Sequence, residues 1–187
     1  MVETIDDRSV YVVVSQTGTI LSQILKIFTR CEYNHASISL SKDLNIMYSF
    51  GRKNPYNPFW AGFVRESVDF GTFKRFYKTK AKVLKLHIGD EDYENIKNFI
   101  AFMTENQKEY HYNYLGLCLA AFNISKNFDK RYYCSEFVKD MLIKFNVDGA
   151  DKLKGIPHPM NFTEMPEAEE IFCGRLKDYS YNSKVLA

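Results

Sequence analysis

Strand-like and helix-like hydrophobic patterns follow one another along this chain in an order that limits the fold class. A β-branched and aromatic run at residues 9–16 (SVYVVVSQ) predicts a buried strand. Thr17-Gly18-Thr19 then offers a turn and a helix cap. The next apolar residues recur at helical spacing and predict an amphipathic helix to about Arg30: Ile20, Leu21, Ile24, Leu25, Ile27 and Phe28.

The next segment predicts a hairpin. Residues 34–40 (NHASISL) alternate, so one face of the strand is apolar and the other carries His35, Ser37 and Ser39. A turn centred on Lys42 would return residues 45–50 (NIMYSF) antiparallel, with His35 opposite Ser49. Residues 51–62 (GRKNPYNPFWAG) hold two prolines and two asparagines and predict an irregular loop. Aromatic residues in such a loop more often anchor it on the core than line a binding site. Here they are Tyr56, Phe59 and Trp60.

The second half of the chain is mainly helical in pattern. After a strand at residues 80–88, apolar spacing predicts helices at residues 93–108, 110–122 and 134–145. The tail from Gly155 carries three prolines and is expected to wrap the surface. Strand and helix, then sheet, then helices indicate an α+β fold with an antiparallel sheet packed against helices. The 187 residues are expected to form a single domain, 1–187.

Composition and charge narrow the function classes. A net charge of +2 gives no reason to expect nucleic acid as a partner. No secretory signal and no apolar run long enough for a membrane span is seen, so a cytoplasmic location is expected. The basic stretch at residues 74–85 predicts the solvated side of an edge strand, with a site for an anionic partner as the alternative.

The cysteines are expected to be free thiols. They lie far apart without a CxxC pair, so neither a metal nor a cofactor is implied, and a reducing cytoplasm disfavours disulfides: Cys31, Cys118, Cys134 and Cys173. Their surroundings must then decide which thiol matters.

Cys134 opens the last predicted helix, within RYYCSEFVKDMLIKF at residues 131–145. A helix N-terminus favours negative charge, which promotes the thiolate that a cysteine nucleophile needs. The backbone N–H groups there can also hold the oxyanion of a tetrahedral intermediate. The alternative is a buried apolar thiol, because Cys134 continues the stripe of Phe137, Val138 and Met141.

His35 is the histidine best suited to act as the base, because it heads the polar face of its strand. The other three histidines are weaker candidates. His87 ends an apolar strand, His111 lies in a tyrosine-rich stretch and His158 lies between prolines. The second ring nitrogen needs an orienting group. Ser49 takes that position in the predicted register, and Glu66 and Asp69 are acidic alternatives.

Together these residues resemble the circularly permuted branch of the NlpC superfamily of papain-like proteins, in particular the YiiX-like group, to which lecithin retinol acyltransferase-like enzymes are related. The resemblance rests on NHASISL early and Tyr133-Cys134-Ser135-Glu136 late, and spans roughly residues 9–145. It implies a permuted papain-like fold in which Cys134 is the nucleophile, His35 the base and Tyr133 a neighbour of the oxyanion site. The third position, histidine or a carboxylate in that family, falls at Ser49.

The leading hypothesis is a thiol hydrolase or acyltransferase that cleaves an amide or ester through an acyl-enzyme. Its substrate would be a small peptide, an amide or a lipid ester. The first alternative is a catalytically weak or inactive papain-like module that binds a peptide or lipid ligand. The second is a scaffold that binds partner proteins, which predicts a large apolar patch away from Cys134.

Overall fold

The protein is described here from a computed structural model, which covers residues 8–17, 32–54, 56–120, 122, 124–126 and 128–179. The predicted helix ending near Arg30 lies outside these residues, as do Gly18, Thr19 and Cys31.

The described residues form one eight-stranded sheet with helices packed against it. The strands are β1 (Ser9–Gln16), β2 (His35–Ser39), β3 (Met47–Asn54), β4 (Asn57–Glu66), β5 (Lys80–His87), β6 (His111–Tyr112), β7 (Arg131–Tyr132) and β8 (Glu169–Arg175). Their order is β7-β6-β4-β3-β2-β1-β5-β8, and all neighbours are antiparallel except β6 and β7. The predicted α+β class with an antiparallel sheet packed against helices is confirmed.

The helices are α1 (Gly71–Arg75), α2 (Asp90–Glu105), α3 (Tyr114–Ala120), α4 (Cys134–Lys144) and α5 (Pro159–Thr163). Short 3₁₀ turns lie at Ala150–Lys152 and Leu176–Asp178. Helix α4 matches the predicted one, because its apolar stripe is regular, whereas α2 begins and ends three residues earlier than predicted. The helix predicted at residues 110–122 is shorter, because His111 and Tyr112 pair in the sheet as β6. None of the helices in the described ranges is long and apolar enough to cross a membrane.

Apolar packing covers both faces of the sheet, which explains the continuous apolar run of β1. Val12 and Val14 belong to the larger core, together with Ile96 of α2 and Phe137 of α4. We call this side of the sheet the main face. Val13 belongs to a smaller apolar cluster on the opposite side of the sheet, which we call the second face. The other members of this cluster are Tyr11, Leu44, Met47, Phe73 of α1, Ala81, Val83 and Leu176.

The β2–β3 hairpin has a different register from the predicted one. Ile38 lies opposite Tyr48, two residues away from the pairing that a turn centred on Lys42 would give. The turn is longer because the Asp43 carboxylate accepts hydrogen bonds from the backbone N–H of Asn45 at 3.0 Å and from its side-chain amide at 2.6 Å. Leu44 takes a φ of 53° within the turn. A shift of two residues keeps each side chain on its face, because strand side chains alternate with period two.

The predicted irregular loop at residues 51–62 is wrong, since this segment forms most of the β3–β4 hairpin. Asn54 lies opposite Asn57, and their side chains accept hydrogen bonds from the backbone N–H groups of Tyr56 and Phe59 at 2.8 Å and 2.9 Å. The asparagines therefore make a tight turn rather than a long loop. The preferred interpretation of the aromatic residues is wrong too, because Tyr56, Phe59 and Trp60 are 74%, 84% and 57% exposed.

The tail is not a surface wrap. Phe162 of α5 is fully buried in the main core, and β8 pairs with β5 along the sheet. Strand β5 consequently lies between β1 and β8, so the basic stretch is not on an edge strand. Lys82 of β5 makes an ion pair with Glu170 of β8 at 2.7 Å.

Candidate active site

Four polar side chains from three adjacent strands meet on the second face: His35, Ser37, Ser49 and Glu66. His35 Nε2 lies 3.1 Å from Glu66 Oε1 and 3.0 Å from Oε2. The hydroxyl groups of Ser37 and Ser49 both donate to Glu66 Oε2, at 2.6 Å and 2.8 Å. The Glu66 carboxylate is therefore held by two hydroxyl donors while both its oxygens face the imidazole.

The electrostatics of this cluster favour an ion pair. Burial by itself would lower the pKa of His35, but the Glu66 carboxylate and a hydrogen bond with Cys134 outweigh it and raise the pKa to about 10. Burial would raise the pKa of Glu66, yet the His35 charge and the hydrogen bonds from His35, Ser37 and Ser49 lower it. At neutral pH the pair is therefore imidazolium and carboxylate.

Gly51 leaves room for this cluster. A Cβ atom at this position would lie 3.3 Å from Glu66 Oε1, 3.3 Å from Ser49 Oγ and 3.4 Å from His35 Cε1. These distances are tighter than ordinary van der Waals contact. The absence of a side chain at residue 51 thus lets β3 pack closely against the imidazole and the carboxylate.

The residues around Cys134 fix the start of α4. Tyr133 is the N-cap in extended conformation, and the Glu136 side chain accepts from its backbone N–H at 3.2 Å and from the Asn113 amide at 3.2 Å. Ser135 Oγ donates to the Pro157 carbonyl at 2.8 Å, which ties the tail to this helix end. Cys134 is consequently the first helical residue, as predicted, and its backbone N–H belongs to the helix start, where no intrahelical acceptor exists.

Cys134 and His35 meet at one end of the sheet. Helix α4 packs on the main face, whereas the imidazole points to the second face. The two can still meet, because His35 is the first residue of β2 and so lies at the end of the strand. Cys134 Sγ lies 4.0 Å from the carbonyl oxygen of Asn34, the residue before His35. The Cys134 thiol is also close enough to the imidazole to contribute to its raised pKa, after Glu66. Since Nε2 faces Glu66, Nδ1 is the ring nitrogen left for the thiol.

Access to this pair is narrow. Cys134 is 5% exposed and the His35 side chain 16%. Both side chains are thus largely shielded from solvent.

The structure brings together most of the residues that the sequence analysis named. Glu66, one of the two acidic alternatives, contacts the imidazole. The predicted register placed Ser49 against the ring, but Ser49 donates its hydrogen bond to Glu66. Asp69 lies in a separate turn, where its backbone N–H donates to Ser67 Oγ at 3.2 Å. Tyr133 is buried beside Cys134, and burial, followed by the charges of Glu136 and Cys134, raises the pKa of its hydroxyl.

Three residues near the site were not assigned a role from the sequence: Ser37, Arg52 and Tyr112. The sequence placed Ser37 on the same strand face as His35, which it follows by two residues, but not in contact with Glu66. Tyr112 is subject to the charges of Cys134, Tyr114 and Tyr133, although burial is the main cause of its raised pKa. No local pattern distinguishes Tyr112 from the other tyrosines in the same stretch.

In the part of the chain that the structure describes, no group of three or more His, Cys, Asp or Glu side chains is arranged to hold a metal ion. No protein-family model, characterised protein or solved structure matches the chain.

Proposed function

We propose that this protein is a thiol hydrolase or acyltransferase in which Cys134 is the nucleophile, His35 the general acid and base, and Glu66 the orienting carboxylate. The observation that carries the proposal is the position of one imidazole between a thiol at a helix N-terminus and a buried carboxylate. Nucleophile, base and orienting group are thereby in the order that acyl transfer requires.

Each of the three residues has a role that follows from its surroundings. An imidazolium beside a sulfur stabilises the thiolate, and the helix dipole of α4 acts in the same direction. Glu66 stabilises that imidazolium and fixes the ring with Nε2 toward itself. Ser37 and Ser49 keep the carboxylate ionised by donating to it.

The reaction then has two steps. The Cys134 thiolate attacks the carbonyl carbon of an ester or amide, and a C–S bond forms. The C–O or C–N bond breaks as His35 gives its proton to the leaving group. In the second step neutral His35 takes a proton from water or another acceptor, which attacks the thioester carbonyl carbon. The C–S bond then breaks, the acid or the acylated acceptor leaves, and Cys134 is again a thiolate beside imidazolium. The backbone N–H of Cys134 would hold the oxyanion, with Tyr112 and Tyr133 beside it.

The proposed fold and substrate class follow from the resemblance stated above. We infer a permuted papain-like fold of the NlpC type and place the protein near the YiiX-like group. The expected substrates are small peptides, amides or lipid esters, and a reducing compartment such as the cytoplasm would keep the thiol active. The exposed tip of the β3–β4 hairpin carries Tyr56, Phe59 and Trp60, and the Tyr114 hydroxyl of α3 donates a hydrogen bond to the Phe59 carbonyl. We infer that this tip would line the substrate site.

The alternative of an inactive binding module depended on a serine as the third residue. With Glu66 against the imidazole, that argument no longer applies, because a carboxylate stabilises imidazolium better than a hydroxyl does. Enzymatic chemistry is therefore the better-supported function.

Intact-protein mass spectrometry tests the proposal. The protein is incubated with a panel of activated acyl esters and peptide amides, and we expect a single acyl adduct that is lost in Cys134→Ala. The matched controls are Cys118→Ala and Cys173→Ala, because both thiols are exposed and would carry any unspecific modification.

A second measurement separates the enzyme from the binding module. The rate of Cys134 alkylation by iodoacetamide at neutral pH is compared with that of a cysteine in an unstructured peptide. Equal or slower modification of Cys134, together with adducts found only at Cys118 and Cys173, would refute the proposed chemistry.

A further inference from the structure

Arg52 is a half-buried arginine near the end of β3. It follows Gly51 in β3 and lies opposite Ala61 of β4. Within the described ranges the guanidinium has neither a hydrogen bond nor an ion pair, although it offers five N–H donors. The guanidinium carbon lies 5.5 Å from the centre of the Phe76 ring.

Arg75 brings a second guanidinium to the same place. Its guanidinium carbon lies 5.6 Å from the centre of the Phe76 ring and 3.9 Å from that of Tyr56. Two positive groups on one aromatic ring repel each other, and the charge of Arg75 adds to burial in lowering the pKa of Arg52. An anion between or beside them would remove this cost and supply acceptors for the unused donors.

The position of Arg52 relative to the proposed catalytic residues suggests what that anion belongs to. Arg52 directly follows Gly51, where a Cβ atom would lie 3.4 Å from His35 Cε1 and 3.3 Å from Glu66 Oε1. The ring of Phe73, three residues before Phe76, lies 6.2 Å from the His35 ring, centre to centre. A molecule that contacts the guanidinium of Arg52 at Phe76 would therefore extend toward the imidazole that serves Cys134.

We propose that Arg52, with Arg75 beside it, binds a carboxylate or phosphate group that the substrate carries close to the acyl carbon attacked by Cys134. This inference rests on the proposed function and narrows it to anionic acyl substrates. A planar guanidinium fork matches the geometry of both oxyanions, so the two share one recognition chemistry.

Three esters of equal length test the preference. They are the nitrophenyl esters of butyrate, of succinate with its second acid group free, and of phosphonopropionate, and the measured quantity is the rate of Cys134 acylation. We expect the wild-type protein to react with at least one of the anionic esters about tenfold faster than with butyrate, as a hydrogen-bonded charge pair predicts. The anionic ester that reacts faster identifies the group as carboxylate or phosphate.

Substitutions then assign the preference to Arg52. Arg52→Met should abolish the preference, so that the anionic esters react no faster than butyrate. Arg52→Lys should keep part of the preference, because lysine retains the charge without the fork. Lys74→Met is the matched control, since Lys74 is exposed, lies on α1 next to Arg75 and is also positively charged. If Arg52→Met fails to fold, the comparison is made with Arg52→Lys alone.

Two results would overturn the inference: equal rates for all three esters in the wild-type protein, or an equal slowing of all three in Arg52→Met. If none of the esters acylates Cys134, the proposed function fails, and the anion site is tested separately. Binding of inorganic phosphate and succinate to Cys134→Ala is then followed by nuclear magnetic resonance. Binding that Arg52→Met abolishes supports the anion site without catalysis, and no binding refutes it.

Discussion

His35 Nε2 lies within 3.1 Å of both carboxylate oxygens of Glu66, in a pair of which neither side chain is more than 16% exposed. Such a buried ion pair is costly unless further hydrogen bonds satisfy it. Ser37 and Ser49 supply these bonds to the carboxylate, and Cys134 supplies the other partner of the ring. The pH behaviour of the site follows from this arrangement.

The first prediction concerns the titration of His35. Its pKa is raised to about 10, against an ordinary value of 6.5, so its ring should stay protonated through neutral pH. Glu66→Gln removes the carboxylate charge but keeps the shape of the side chain, so the titration midpoint of His35 should fall markedly. Nuclear magnetic resonance of the His35 ring protons measures both midpoints. A wild-type midpoint near 6.5 would contradict the ion pair.

The second prediction is the pH dependence of stability. Because the folded-state pKa of His35 is raised, its contribution is fully present below pH 6.5 and is lost as the pH rises through about 10. The pKa of Glu66 is lowered, so its contribution is present above 4.5 and is lost as the pH falls through the folded-state pKa. In urea unfolding, the contribution of this pair to the free energy of unfolding should therefore be largest between pH 4.5 and 6.5.

Above that window the free energy of unfolding should fall by up to about 1.4 kcal/mol per pH unit for the one proton involved. Glu66→Gln is the control, since it removes most of the difference in proton binding between folded and unfolded states. Wild-type and variant curves that run parallel from pH 7 to pH 9 would show that the pair does not contribute.

The third prediction is that Gly51→Ala destabilises the protein by about 1–3 kcal/mol, as overpacking usually does. The added methyl group would push against the Glu66 and Ser49 oxygens and the His35 ring. It should also slow alkylation of Cys134. Gly89→Ala is the matched control, because a Cβ there meets nothing within 4 Å. An unchanged urea midpoint in Gly51→Ala would mean that the strands adjust without cost.

The fourth prediction concerns Glu136, whose pKa is raised mainly by burial. Glu136→Ala leaves the backbone N–H of Tyr133 and the side-chain amide of Asn113 without their acceptor, so we expect a loss of about 1–3 kcal/mol. Glu136→Gln keeps one acceptor oxygen and should lose less. Chemical unfolding of both variants measures the difference. Equal losses would show that the hydrogen bonds do not account for the effect.

The fifth prediction is that Phe137→Ala costs about 3–5 kcal/mol, as expected for a large cavity in a packed core. Its ring lies 5.3 Å from that of Phe50 and 5.8 Å from that of Phe63, centre to centre. The matched control is Phe102→Ala, a phenylalanine on α2 that is 53% exposed and should change stability by no more than about 0.5 kcal/mol. Similar unfolding midpoints for the two variants would contradict the core position of Phe137.

Segments with a strict local period were predicted well. The boundaries of β1 and β2 and the start of α4 at Cys134 agree with the patterns, because burial of one face imposes a period that the sequence itself carries. Residues 51–62 and the tail were predicted wrongly. Their prolines and asparagines indicate loops locally, but pairing of β4 with β3 and of β8 with β5 outweighs that preference.

The amino-acid sequence alone determined that Cys134 begins a helix and that His35 heads the polar face of a strand, since both follow from local periodicity. Tertiary structure alone decided that Glu66 holds the imidazole and that Ser49 supports Glu66. A period of two fixes the face on which a side chain lies, but the residue beside it on the next strand depends on register. Here the turn at Asp43 and the β3–β4 pairing set that register, and neither is encoded in the strands they align.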